Sequence, residues 1–190
     1  MKTISQKISV YLGMLVLSIF CFISCEETTP EEVNEDELIT TVIVTLNANS
    51  QSIVLKYVDL DGPGGDDPEF SVSDPLSKNT IYTGEVAFLN ESVDPSEDIT
   101  EEVIAEAEEH QVFYQAPTAF GTFAYDDTDA DGKPLGLQFT FTTGSSATTG
   151  NLTVFLRHKP NKSAAGVSSG SMTNAGGATD AEAIFPIQIQ

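Results

Sequence analysis

The sequence predicts an all-β fold, a single antiparallel β-sandwich of immunoglobulin-like kind with one short helical insertion, set behind an export signal and an acidic tether. Three observations carry that expectation. From Leu38 onward, apolar residues recur at every second position in about nine short runs, the period of strands with one face buried. Turn-forming Gly, Pro, Asp and Asn separate the runs. Only one segment has helical periodicity, whereas an α/β fold would need a helix between successive strands.

The N-terminus is read first as an address. Lys2 and Lys7 accompany the apolar run Ile8 to Ile23, which is short for a membrane span and suits a signal peptide. The run ends in Phe22-Ile-Ser-Cys25, a lipobox in which Phe22 stands where Leu is commoner. Cys25 follows the small Ser24, whereas Cys21 follows the bulky Phe20, so Cys25 is the expected lipid acceptor. Ordinary secretion with cleavage near Ser24 is the alternative. Residues 1–24 are thus the lipoprotein signal, 25–37 the acylated cysteine and a disordered acidic tether, and 38–190 the sandwich.

Charge narrows the partners. The 190 residues hold 29 Asp or Glu against 8 Lys or Arg, a formal charge of −21. The signal carries two of the basic residues and none of the acids, so processing takes the charge to −23. Nucleic acid is excluded as a partner, because phosphate binding needs clustered Lys and Arg. An anionic bilayer would repel the domain as well, which leaves the acyl chains as its hold on the membrane. With Cys25 used for lipid, the mature chain has no intrachain disulfide, and stability rests on the core.

Taken in order, Val42, Val44 and Leu46 alternate with Thr41, Ile43 and Thr45, and Ile53, Leu55 and Tyr57 alternate with Val54, Lys56 and Val58, two strands joined by a turn at Asn47 to Ser50. Asp59 to Glu69, rich in Gly, Pro and Asp, is a loop, and Phe70 to Ser73 a short strand. Thr80 to Asn90 has apolar groups on both faces, as in a central strand. Asp98 followed by Glu101 forms a capping-box arrangement, and Ile99, Val103 and Ala107 share a stripe, predicting a helix over Ile99 to Glu109. Strands resume at Val112 to Gln115, Phe120 to Tyr125, Leu137 to Thr143, Leu152 to Arg157 and Ala183 to Ile189, with a turn at Gly144 to Gly150. Lys159 to Asp180, rich in Gly, Ala, Ser and Asn with little to bury, reads as a long mobile loop.

Three groups of residues are candidate sites. In Asp127-Thr-Asp129-Ala-Asp131-Gly132, oxygen donors at alternate positions before a Gly match the first half of a calcium loop. Position twelve is Gln138, not Glu, and the competing reading is an acidic hairpin whose Asp side chains bond their own backbone. Glu106, His110 and His158 form a candidate transition-metal site, with one carboxylate a helical turn before a histidine. Against it, His110 suits a helix C-terminus, and the basic run Arg157-His158-Lys159 suits pairing with the acidic helix. Asp59, Asp61, Asp66 and Asp67 make a further acidic loop without fixed ligand spacing. Gly166-Val-Ser168-Ser-Gly170 fits a nucleophile elbow only in a strand-to-helix turn, so it is read as chance. If successive strands alternate in direction, the Asp59 loop, the helix, the Asp127 loop, the Lys159 loop and both histidines gather at one pole.

The segments Asp98-Ile-Thr-Glu-Glu102, Glu109-His-Gln-Val-Phe-Tyr114, Leu135-Gly-Leu-Gln-Phe139 and Leu156-Arg-His-Lys-Pro-Asn-Lys162, followed by Asn174-Ala-Gly-Gly, resemble a family of Bacteroidota surface lipoproteins. Some members carry the label "type 1 periplasmic binding fold superfamily", which implies an α/β fold that the strand pattern opposes. The acids directly after Cys25 resemble the surface-export signal of that group and imply an outward-facing outer-membrane location. The expected function is a non-enzymatic binding or interaction module, accessory to an outer-membrane transporter; the alternative is a metal-dependent enzyme or metal-binding protein using the acidic loops or the histidines.

Overall fold

The computed structural model describes residues 38–62 and 65–190; the predicted signal, Cys25 and the tether lie outside them. Two antiparallel sheets face each other. One is built from β1 (Thr41–Ala48), β2 (Gln51–Val58), β3 (Glu69–Val72), β4 (Ile81–Asn90), the two-residue β5 (Glu97–Asp98), β7 (Gly121–Tyr125) and β8 (Gln138–Thr143). Its order is β3-β2-β1-β4-β8-β7, with β5 paired to β4. The other has the order β10-β9-β6, where β6 is His110–Gln115, β9 Thr148–His158 and β10 Ala178–Ile189. The seven-to-three division is more uneven than the four-to-three of an immunoglobulin constant-type domain.

The period-two runs become the core face. Val42, Val44 and Leu46 of β1, Ile53 and Leu55 of β2, and Phe139 and Phe141 of β8 are all buried, because alternate side chains of a strand leave on one side. Asn49 and Ser50, both with positive φ, close the β1–β2 hairpin in two residues, the turn whose twist matches that of its strands. β4 is central in order, between β1 and β8. Only its Tyr82, Val86 and Phe88 face is in the core, and Ile81 on the other is exposed. From the opposite sheet, Tyr114 meets the Phe139 ring at 4.2 Å and stacks on Phe123 at 5.1 Å. Its hydroxyl donates to the Gly136 carbonyl at 2.6 Å inside the core.

Two expectations are corrected. The helix α1 spans only Thr100–Ala105, and Asp98 is no N-cap: it pairs with Leu89 in β5 and accepts from the Thr100 amide. Past the helix, the carbonyls of the segment expected to continue it accept from distant donors. Lys162 Nζ donates to the Ala107 carbonyl at 2.6 Å and the Lys159 amide to the Glu109 carbonyl at 2.6 Å. Ile99 and Val103 still dock in the core as the stripe predicts.

The segment between β9 and β10 is packed. Val167 and Ala175 are buried against Phe113 on the outer face of the three-stranded sheet, with Phe155, Ala164 and Met172 around them. Short 3-10 turns at Val167–Ser169 and Met172–Asn174 make the segment compact, and Gly166 and Gly170 take the positive φ that the first of these needs at both ends. Its small side chains allow close approach to the sheet rather than leaving it solvated. Arg157 fastens the far end by donating to the carbonyls of Gly176 and Gly177 and to the Thr179 hydroxyl.

Candidate functional site

Strand register brings the histidines together. His110 of β6 and His158 of β9 are direct antiparallel partners, so their side chains leave the sheet on the same face, close enough to touch. The rings stack with centroids 4.9 Å apart and planes 15° from parallel. They continue the rows Val112–Tyr114 and Leu156–Val154, and so sit at the pole end of the core. On the far side of β9, Ala178 of β10 pairs with His158, and the register then slips between Thr179 and Ala181. Asp180 is the extra residue of that bulge, a device that re-aims a side chain, and its carboxylate turns to both rings.

The four ring nitrogens divide into two sets. His110 Nδ1 lies 3.2 Å from the Glu106 carbonyl oxygen; a carbonyl only accepts, so Nδ1 carries the hydrogen. His158 Nε2 lies 3.4 Å from Glu109 Oε2. The remaining two nitrogens face Asp180, with His110 Nε2 3.6 Å from Oδ2 and His158 Nδ1 4.0 Å from Oδ1. Burial pushes the His110 imidazole below its ordinary value, and the Glu106 carbonyl and Asp180 only partly offset this, so at neutral pH the ring is uncharged. Glu109 is held below the ordinary carboxylate value by Lys159, 3.2 Å away, and by His158. The pairing of the basic run with the acidic helix region is therefore real for His158 and Lys159, while Arg157 serves the loop.

Among the described residues, the ligand atoms of Glu106, His110 and His158 all lie within 4.8 Å of one another, as the sequence proposed. Asp127, Asp129 and Asp131 are not gathered in this way, which corrects the placement expected of a calcium loop. Asp127 accepts the amides of Gly136 at 2.6 Å and Gln138 at 2.9 Å. Asp129 Oδ1 accepts those of Asp131 and Lys133, Oδ2 accepts Lys162 Nζ at 2.8 Å, and Asp131 is exposed. The alternation closes a hairpin on its own backbone, with Gly132 at φ +72°. Ser168 donates to the Lys162 carbonyl on a 3-10 turn that follows a loop, so no nucleophile elbow forms.

Sequence reasoning missed three contributors. Lys162 is a buried cation joining the Asp129 hairpin, the turn at Ala107 just after α1 and the β9–β10 segment. Burial alone would raise the Asp129 carboxyl, but Lys162 and the Lys133 and Asp131 amides outweigh it and hold the group below its usual value. Asp180 and Glu109 face the histidines; period two counted back from Ala183 passes through 181 and 179, so only the bulge between Thr179 and Ala181 brings Asp180 to the rings.

An open groove of about 830 Å³ adjoins this cluster. Leu38, Ile39 and Ile184 line it as apolar surface, and Asp59, Asp66, Asp67, Asp180 and Glu182 as acids. The groove joins the Asp59 loop to the pole that holds the histidines. Among the described residues, no helix is long and apolar enough to cross a membrane. No family model matches the chain, and neither a curated protein nor a solved structure matches it.

Proposed function

We propose that the chain is a surface lipoprotein of the outer membrane, held by acyl chains on Cys25, whose sandwich is a non-enzymatic binding module accessory to an outer-membrane transporter. The groove carries this reading. Asp59, Asp66, Asp67 and Glu182 line it with no Lys or Arg among the described lining residues, so it favours a cationic guest. One wall is residues 178–182 and 184 of β10, an edge strand of its sheet, and an edge is a template for an extended partner segment. The guest that fits both features is a basic, extended stretch of a membrane protein.

Copurification from detergent-solubilised outer membranes tests this. The expected result is a stoichiometric membrane partner that is released as salt rises and is lost when Asp59, Asp66 and Asp67 are changed to Asn. A partner retained undiminished by that variant would remove the groove from the reading. Cys25→Ser should abolish acyl labelling, and protease added to intact cells should cut the domain. Acylation surviving the substitution, or a protected domain in intact cells, overturns the anchor or the outward orientation respectively.

A further inference from the structure

The histidine pair has the construction of a metal centre and not merely its residue types. In metal sites, each ligating imidazole commonly gives its other ring N–H to a carbonyl or carboxylate, which fixes the tautomer and aims the lone pair. Both rings here are held that way, His110 by the Glu106 carbonyl at 3.2 Å and His158 by Glu109 at 3.4 Å. Both remaining nitrogens are directed at one carboxylate, Asp180, at 3.6 and 4.0 Å. In His110 this sets a nitrogen lone pair facing a carboxylate oxygen, two acceptors with like partial charge, which a cation between them would reconcile.

We propose that His110 Nε2, His158 Nδ1 and the Asp180 carboxylate bind a divalent transition-metal ion of the zinc type; the Glu106 carboxylate, within 4.8 Å of a nitrogen of each ring, is a further donor at the same pair. Metal–ligand distances of about 2.0–2.1 Å place neighbouring tetrahedral ligands about 3.3 Å apart. The His110 and His158 contacts with Asp180, at 3.6 and 4.0 Å, would close by about 0.3 and 0.7 Å to reach that separation. Two imidazoles with carboxylate oxygens suit zinc, copper or nickel and disfavour calcium and magnesium, which take oxygen ligands. Asp180 also lines the acidic groove, which gives the ion an approach from solvent through a field of its own attraction. The proposal stands independently of the partner reading above.

The test is zinc titration of the full-length chain in detergent after chelator treatment, followed by calorimetry and thermal melting. One tight zinc site is expected, with a rise in melting temperature that calcium and magnesium do not reproduce. Glu109→Gln, an exposed change that removes the anionic acceptor of His158 together with its Lys159 pair, should weaken zinc by roughly 10–100-fold, and Lys159→Met, which removes that pair alone, should not. His158→Gln should weaken it further, with the fold checked by circular dichroism. X-ray absorption of the loaded protein should show imidazole and oxygen donors without sulfur. Absence of tight zinc binding by the folded wild type, equal affinity in folded His158→Gln, or equal response to calcium would each overturn the assignment.

Discussion

Replacing Lys162 with Met should cost about 3 kcal/mol of folding stability. The magnitude follows from what the lysine leaves behind. Its side chain is 6% exposed and that of its partner Asp129 1% exposed, with Nζ and Oδ2 2.8 Å apart. Removing one member of a buried ion pair costs about 3–5 kcal/mol, since the surviving charge stays buried without compensation. Two backbone amides still donate to Asp129 Oδ1, which puts the expected value at the lower end. At about 2–4 °C per kcal/mol for a chain of this size, melting should fall by about 6–12 °C. In an Asp129→Asn background the same substitution should cost about 2 kcal/mol less, because no buried charge is stranded. The pH dependence has a definite sign. Asp129 is held below its ordinary value when folded, so its contribution is present above the unfolded value of about 3.9 and is lost as pH falls through the folded one. The gap between wild type and Lys162→Met should therefore narrow below about pH 4. Urea unfolding at pH 7 and at pH 3 measures all of this. A loss under 1 kcal/mol at pH 7, or a gap that does not change with pH, would refute the reasoning.

Two further substitutions probe the packing around the site. Phe113→Ala should cost about 3–5 kcal/mol, because Phe113 is fully buried between its sheet and Val167 and Ala175; amide exchange across residues 159–177 should rise with it. Tyr114→Phe should cost about 1–3 kcal/mol in chemical denaturation, as it leaves the Gly136 carbonyl without its 2.6 Å hydroxyl donor inside the core.

The strands were legible because their signal is local. Val42, Val44 and Leu46, or Phe139 and Phe141, declare a buried face by spacing alone, and the β1–β2 turn declares itself by Asn49-Ser50. The β9–β10 segment was not legible as packed, because composition measures how much apolar surface a residue brings and not how closely small residues let the chain approach. Val167 and Ala175 suffice once Phe113 is beneath them. The Asp127 hairpin shows a different limit. Carboxylates at alternate positions before a Gly describe equally a loop that turns oxygen inward to a cation and one that turns them to its own amides. The choice is made by Gly136, Gln138, Lys133 and Lys162, whose N–H groups reach those oxygens, and no spacing rule within the motif contains them.

For the histidines the missing information was register. His110 and His158 are 48 positions apart in a chain with two histidines, and proximity depends on β6 and β9 pairing without a slip. The pairing is set at both ends. Val112 and Tyr114 must face the same core as Leu156 and Val154, and a shift of one residue would turn every one of them to the other face. The bulge in β10 acts in the opposite sense: it relaxes the register at one residue, Asp180, whose side chain then escapes the alternation and reaches both rings. A hydrophobic core that fixes two strands, and one local departure from the pleat on a third, are together sufficient to place two imidazoles and a carboxylate at one point. Deleting Asp180 to restore continuous pairing should keep the sheet while removing the carboxylate, which makes the bulge, rather than the histidines, the element that distinguishes a ligand set from a stacked pair.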